Sequence, residues 1–149
     1  MGLLDADHQK PPSKRLRYVV SGLALLILVG IGLWFAFRYE PEKRVVENFM
    51  NAVVAGNFQQ AYQIWHPHSS YPYGEFLEDW GTQGYYGPIL SYHVESATEP
   101  DGGSGVIVTV EVSPFSPYPD ANDPKSGRTK EVQIWVERSD KSLSFPPPS

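Results

Sequence analysis

Residues 65–81, WHPHSSYPYGEFLEDWG, bring together many of the chain's reactive side-chain types. This stretch contains two of the four histidines, two of the four tryptophans and three carboxylates. Imidazole nitrogens bind metal ions, and a suitably placed carboxyl group transfers protons. The stretch therefore suggests two kinds of chemistry, metal binding and acid–base catalysis. Each would need further side chains from elsewhere in the chain.

Metal binding would rest on His66 and His68, which are spaced as H-x-H around Pro67. On an extended chain this spacing puts both imidazoles on one side. A structural zinc site normally takes four ligands, and the further candidates, His93 and Glu95, lie on a distant predicted strand. We therefore predict a surface loop whose imidazoles are solvated or cap a helix end, and neither a metal nor another cofactor.

Acid–base catalysis would rest on Glu75, Glu78 or Asp79. A catalytic acid needs a shifted pKa and a base within reach, and the sequence identifies neither. We predict solvated carboxylates on a short helix, with Asp79 beside Trp80 as the best candidate for a pocket acid. The chain matches no catalytic motif, so we predict that it is not an enzyme.

Large aromatic residues have two interpretations, a hydrophobic core or the wall of a ligand pocket. The core is the simpler interpretation, because a small domain without disulfides depends on such side chains. The candidate pocket residues are Tyr62, Trp65, Phe76, Asp79, Trp80 and Tyr92.

Trp135 lies on the polar face of a predicted strand, between Gln133 and Glu137. Tryptophan is enriched at interaction hot spots, so this position predicts a contact surface or a covered second face. Phe115 and Tyr118, in the proline-rich loop 113–127, are candidates to extend that surface, and local loop packing is the alternative.

Residues 18–37, YVVSGLALLILVGIGLWFAF, carry no charge. A helix needs about 20 apolar residues to cross a bilayer. A cleaved signal would have a shorter apolar run and a small-residue cleavage site, which "LWFAFRYEPEKR" lacks. The sequence therefore predicts an uncleaved transmembrane anchor, whose first partner is the lipid bilayer.

Charge predicts the orientation of this anchor. The N-terminal flank has four positive residues and the other flank has three: Lys10, Lys14, Arg15 and Arg17 against Arg38, Lys43 and Arg44. The chain from residue 39 onward has 15 Asp and Glu against 7 Lys and Arg, a net charge of −8. Basic flanks favour the cytoplasmic side. We predict a single-pass protein of the cytoplasmic (inner) membrane with a cytoplasmic tail (1–17), a membrane helix (18–37) and an extracytoplasmic domain (38–149). The acidic domain argues against nucleic acid as a partner.

Within that domain the hydrophobic period changes from helical to alternating. Helices are predicted from Pro41 to a stop at Gly56-Asn57, from Phe58 to Pro67, and over 74–81. Three alternating strands follow, with Leu90, Tyr92 and Val94 facing inward in the first, and "LSF" forms a short fourth. Helices followed by antiparallel strands predict an α+β domain with the helices on one face of the sheet.

The segment "VVENFMNAVVAGNFQQAYQIW" (45–65) resembles the opening of the nuclear transport factor two-like superfamily, also called SnoaL-like or cystatin-like. The matching pattern is a helix ending in a small residue, then Gly-Asn, an aromatic residue and Ala-Tyr, here Ala55, Gly56, Asn57, Phe58, Ala61 and Tyr62. Residues 74–94 resemble the third helix and first strand of small bacterial members.

This resemblance implies a cone in which a curved sheet wraps three helices, often around a pocket. It says little about function, because one fold hosts many functions. We expect a protein-binding or scaffold module of the bacterial cell envelope, which contacts an envelope protein or a second copy of itself. The alternative is a small-molecule-binding or enzymatic pocket inside the cone.

Overall fold

The computed structural model describes residues 13–66 and 70–146, and the chain divides after Arg38 into two compact units. The first unit contains one helix, α1 (Lys14–Phe37). The second contains three helices, α2 (Glu40–Val54), α3 (Phe58–Trp65) and α4 (Tyr73–Trp80), and then four strands, β1 (Ser91–Thr98), β2 (Gly105–Ser113), β3 (Lys130–Glu137) and β4 (Leu143–Ser144). This order confirms the predicted α+β class.

The helix α1 covers the predicted apolar segment. It is the one helix among the described residues that is long and apolar enough to cross a membrane, with a mean hydropathy of 2.5 in its most apolar window. Ser13 caps it by accepting a hydrogen bond from the Leu16 amide at 3.3 Å, and none of its residues is buried. Its length and composition are therefore compatible with a membrane anchor.

The break between α2 and α3 forms where the sequence predicts it. Gly56 adopts a φ of +76°, a left-handed conformation that glycine reaches without steric cost. Asn57 then caps α3 by accepting a hydrogen bond from the Gln60 amide at 3.4 Å. The two residues turn the chain so that α3 packs back against α2.

The four strands form one antiparallel sheet in the order β1-β2-β3-β4. Alternate residues of β2 and β3 form a buried inner face, as predicted: Val106, Val108, Val110, Val112, Val132, Ile134 and Val136. The helix α2 packs against this sheet and contributes Val46, Phe49, Met50 and Val53 to the same core. The core therefore lies between α2–α4 and one face of the sheet.

The strand β1 departs from strict alternation, so part of its predicted inner face was wrong. Leu90 precedes the strand and is 48% exposed, because Ile89 occupies the core position instead. A β-bulge at Glu95 lies between the pairs Val94–Val110 and Ser96–Thr109. One extra residue reverses the alternation, so Ala97 rather than Ser96 packs against the core.

Candidate functional site

Aromatic side chains fill the space between the helices and the sheet. The aromatic cluster comprises Phe49, Trp65, Phe76, Trp80 and Phe145. Trp65 and Trp80 have ring centroids 5.5 Å apart, and Trp80 stacks on Phe145 at 6.0 Å. Three candidate pocket residues, Trp65, Phe76 and Trp80, are at most 3% exposed and contact one another, so their rings form packed core at this place.

Tyr62 and Asp79 lie at the edge of this cluster and are joined through Tyr71. The Tyr62 hydroxyl donates to the Tyr71 carbonyl oxygen at 2.7 Å, and the Tyr71 hydroxyl donates to Asp79 Oδ2 at 2.6 Å. Burial, followed by the hydrogen bond to Asp79, raises the pKa of Tyr71 well above its usual range. The hydrogen bond from the neutral Tyr71 hydroxyl to Asp79 therefore connects the segment before α4 to that helix.

Tyr92, the sixth candidate pocket residue, joins the edge strand β1 to α2. Its hydroxyl donates to Asn51 Oδ1 at 2.7 Å and lies 3.4 Å from the Glu47 carbonyl oxygen. Burial and the nearby charge of Glu47 raise the pKa of Tyr92. The six candidate residues thus occupy the interior and its borders.

The opposite face of the sheet, here called the open face, carries the outward residues of the strands. Its members include His93, Glu95, Ile107, Thr109, Glu111, Glu131, Gln133 and Trp135. At one end Trp135 pairs with Ile107 across the strands, and both are half-buried. At the other end Glu111 pairs with Glu131.

Trp135 covers the backbone of a glycine. A Cβ atom added to Gly105 would meet the indole Cε2 at 2.6 Å, so the ring lies directly over this residue. The indole Nε1 donates to Glu137 Oε2 at 3.2 Å, and the Ser104 hydroxyl donates to the same oxygen at 3.1 Å. The indole is fixed in place on the open face with part of its surface exposed.

The far end of the open face holds three carboxylates from three neighbouring strands. One oxygen from each of Glu95, Glu111 and Glu131 lies within 4.8 Å of the others, a geometry that can hold a cation or share a proton. Loss of hydration, and then the charges of Glu111 and Glu131, raise the pKa of Glu95. The β-bulge positions Glu95 in this trio.

Tyr118 belongs to this acidic end, and Phe115 lies beside it with its ring against Lys125 and Arg128; both are separated from Trp135. The Tyr118 hydroxyl donates a short hydrogen bond to Glu111 Oε2, and Ser91 Oγ donates to the Phe115 carbonyl oxygen at 2.5 Å. Trp135 pairs with Ile107, four residues along β2 from Glu111, which corresponds to about 13 Å at 3.3 Å per residue. The three candidate surface residues therefore lie at two ends of one face.

The histidines of the metal hypothesis are divided between the helices and the sheet. His66 ends α3 with a φ of +53° and is exposed. His93 lies on the open face, with its ring 5.8 Å from that of Tyr118. His68 falls outside the described residues.

A groove of about 750 Å³ lies along α2 and α3 and reaches Lys141 between β3 and β4, and sequence reasoning did not identify it. Its polar lining is mostly side-chain amides: Asn48, Asn51, Asn57, Gln60 and Gln63, with His66 and Lys141. Its apolar lining is Val45, Ala52, Ala55 and Ile64. The groove therefore offers many uncharged donors and acceptors beside an apolar surface.

Comparison with known proteins gives no relative: no protein-family model, curated protein or solved structure matches this chain.

Proposed function

We propose that this chain is a single-pass membrane protein whose folded domain lies outside the cytoplasmic membrane and binds a protein of the cell envelope. The observation that carries the proposal is α1, an uninterrupted apolar helix with no buried residue, followed directly in the chain by a well-packed domain. A helix of this composition needs an apolar environment, and a bilayer supplies it.

The order of three helices and four antiparallel strands supports membership of the nuclear transport factor two-like superfamily. The helix break at Gly56 and Asn57 also supports it, because it falls within the sequence motif that resembles this superfamily. Curvature of the sheet into a cone is part of this proposal. The packed aromatic cluster favours a binding role at the surface over chemistry in the interior.

The proposed contact surface is the open face of the sheet. It combines an anchored indole beside Ile107 with an acidic end, and tryptophan is a preferred hot-spot residue. Two copies packed through the acidic ends would bring like charges together. The surface therefore suits a different protein that presents an apolar patch to Trp135 and basic side chains to the glutamates.

Purification of the full chain from membranes after chemical crosslinking tests this surface. Gln133→Arg places a charge on the open face at an exposed position, and we expect it to reduce partner recovery at least about tenfold. Gln59→Arg makes the same change on an exposed position of α3 and is the matched control. Equal recovery with both variants would contradict the proposed surface.

A second candidate function, binding of a small neutral ligand, is favoured by the groove along α2 and α3. Its volume of about 750 Å³ falls in the range of ligand sites, and amides recognise hydroxyl and amide groups. We choose N-acetylglucosamine as a probe that has both groups. Binding should shift the side-chain amide NMR signals of Asn48 and Gln63, and Gln63→Ala should weaken it. Unchanged amide signals would remove this candidate.

A further inference from the structure

A small cleft at the end of the sheet gathers cations on a domain that is otherwise acidic. The cleft has a volume of about 290 Å³ and lies between Tyr86–Pro88 on one side and Gly127–Lys130 on the other. Among the described residues, Val112 and Pro114 complete its lining, and none of the lining residues is a carboxylate. Lys125, Arg128 and Lys130 are three of the seven cationic residues found from residue 39 onward.

Aromatic rings hold these cations in place. Lys125 and Arg128 both lie over the ring of Phe115, at 5.4 and 5.5 Å from its centroid. Lys130 lies 4.8 Å from the centroid of Tyr85 and donates to the Tyr85 carbonyl oxygen at 2.5 Å. A cation–π contact orients a side chain without neutralising its charge.

The donors of Arg128 and Lys130 are largely available for a ligand. Within the part of the chain that the structure describes, neither side chain forms a salt bridge, and the Arg128 guanidinium forms no hydrogen bond. A guanidinium offers five N–H donors in a fork that matches an oxyanion, and an ammonium offers three.

Contacts within the domain position both sides of this cleft. The 3₁₀ helix Pro124–Arg128 is capped by Asp123, whose Oδ1 accepts from the Lys125 amide at 2.9 Å. Tyr86 packs on Trp80 with ring centroids 5.0 Å apart, so the opposite side of the cleft is fixed to the core. A preorganised site loses less entropy when it binds.

We infer that this cleft binds a phosphate group, held by Arg128 and Lys130 with Lys125 adding to the local positive potential. The volume suits one small anionic group rather than a large ligand. The phosphate can be a free ion or a phosphate ester at the end of a larger molecule, since both present phosphate oxygens to the Arg128 guanidinium. This inference does not rest on the proposed protein partner, because neither Trp135 nor any of the three glutamates lines the cleft.

Calorimetric titration of the full chain in a phosphate-free non-ionic detergent tests the inference. One arm uses inorganic phosphate and the other uses glycerol phosphate, both at low salt. We expect saturable binding that weakens as salt is added. Binding in both arms indicates a site for free phosphate, whereas binding of glycerol phosphate alone indicates an ester site. No heat of binding in either arm would overturn the inference.

Two charge-removing variants locate the binding. Arg128→Gln removes the fork without breaking a hydrogen bond within the described chain and should weaken binding at least about tenfold. Arg44→Gln, at a 72% exposed side chain on α2, removes the same charge elsewhere and should leave binding unchanged. Equal affinity for both variants would show that the heat arises from non-specific charge attraction and would contradict the site.

Discussion

At the scale of single residues, the chemistry of this domain is concentrated where the sheet brings side chains together. Trp135 could be recognised from sequence because it interrupts a polar alternation. The glutamate trio could not, because its members lie on three strands and meet only through the strand register and a bulge at Glu95. Neither register nor bulge leaves a signal in the hydrophobic pattern of one strand.

Glu95→Gln should stabilise the domain at neutral pH. The folded protein raises the pKa of Glu95, so the stability that this carboxyl contributes is complete below its ordinary value of 4.5 and is lost as the pH rises through the raised value. The uncharged glutamine avoids this loss. Urea unfolding followed by tryptophan fluorescence should therefore give a higher midpoint for the variant at about pH 7, and equal midpoints at about pH 4.

Glu78→Gln is the control for this comparison, because Glu78 is an exposed carboxylate on α4 outside the trio. Its midpoint should follow that of the unmodified chain at both pH values. A Glu95→Gln variant with no advantage at neutral pH would show that the three carboxylates do not interact strongly.

At the scale of helices and strands, the sequence predicts the elements better than their packing. Local sequence is enough to predict the end of α2 at Gly56 and Asn57. It is also enough to predict β2, from its alternating valines. The position of Leu90 depends instead on how the chain enters the sheet, with Ile89 buried in the core. The helix groove and the basic cleft arise between elements that are distant in sequence, so periodicity cannot reveal them.

Gly105→Ala should destabilise the hairpin end of the open face. An added Cβ would lie 2.5 Å from the Val136 carbonyl oxygen and 2.6 Å from Trp135 Cε2, so the strand or the indole must move. We expect the free energy of unfolding to fall by about 1–3 kcal/mol, the usual cost of overpacking. Chemical denaturation of the purified full chain measures this change.

Gly74→Ala is the matched control, because a Cβ at this position in α4 meets no atom within 4 Å. We expect the stability of this variant to change by less than about 1 kcal/mol, and toward greater stability, since alanine favours a helix. Similar stabilities for the two variants would mean that the indole does not lie over Gly105.

At the scale of the whole molecule, the chain consists of one apolar helix followed by one acidic α+β domain. Composition alone suggests this division, since charge is absent from 18–37 and strongly negative from residue 39 onward. The proposed direction of α1 across a bilayer rests on a small difference in flanking positive charge. Direct labelling is therefore the appropriate test.

Cysteine labelling in intact cells measures that direction, and the chain contains no cysteine to interfere. Ser139→Cys, at an exposed position between β3 and β4, should react with a membrane-impermeant maleimide. Ser13→Cys, before α1, should react only after the cells are opened. The reverse pattern would contradict the proposed orientation.

The most direct test of a membrane-anchored binding module is photo-crosslinking in living cells from position 133. A photoreactive residue there lies on the open face beside Trp135, and the same residue at position 59 on α3 serves as the control. We predict one discrete crosslinked product from position 133, containing a second envelope protein, and none from position 59. Only uncrosslinked chain, or the same products from both positions, would contradict the claim.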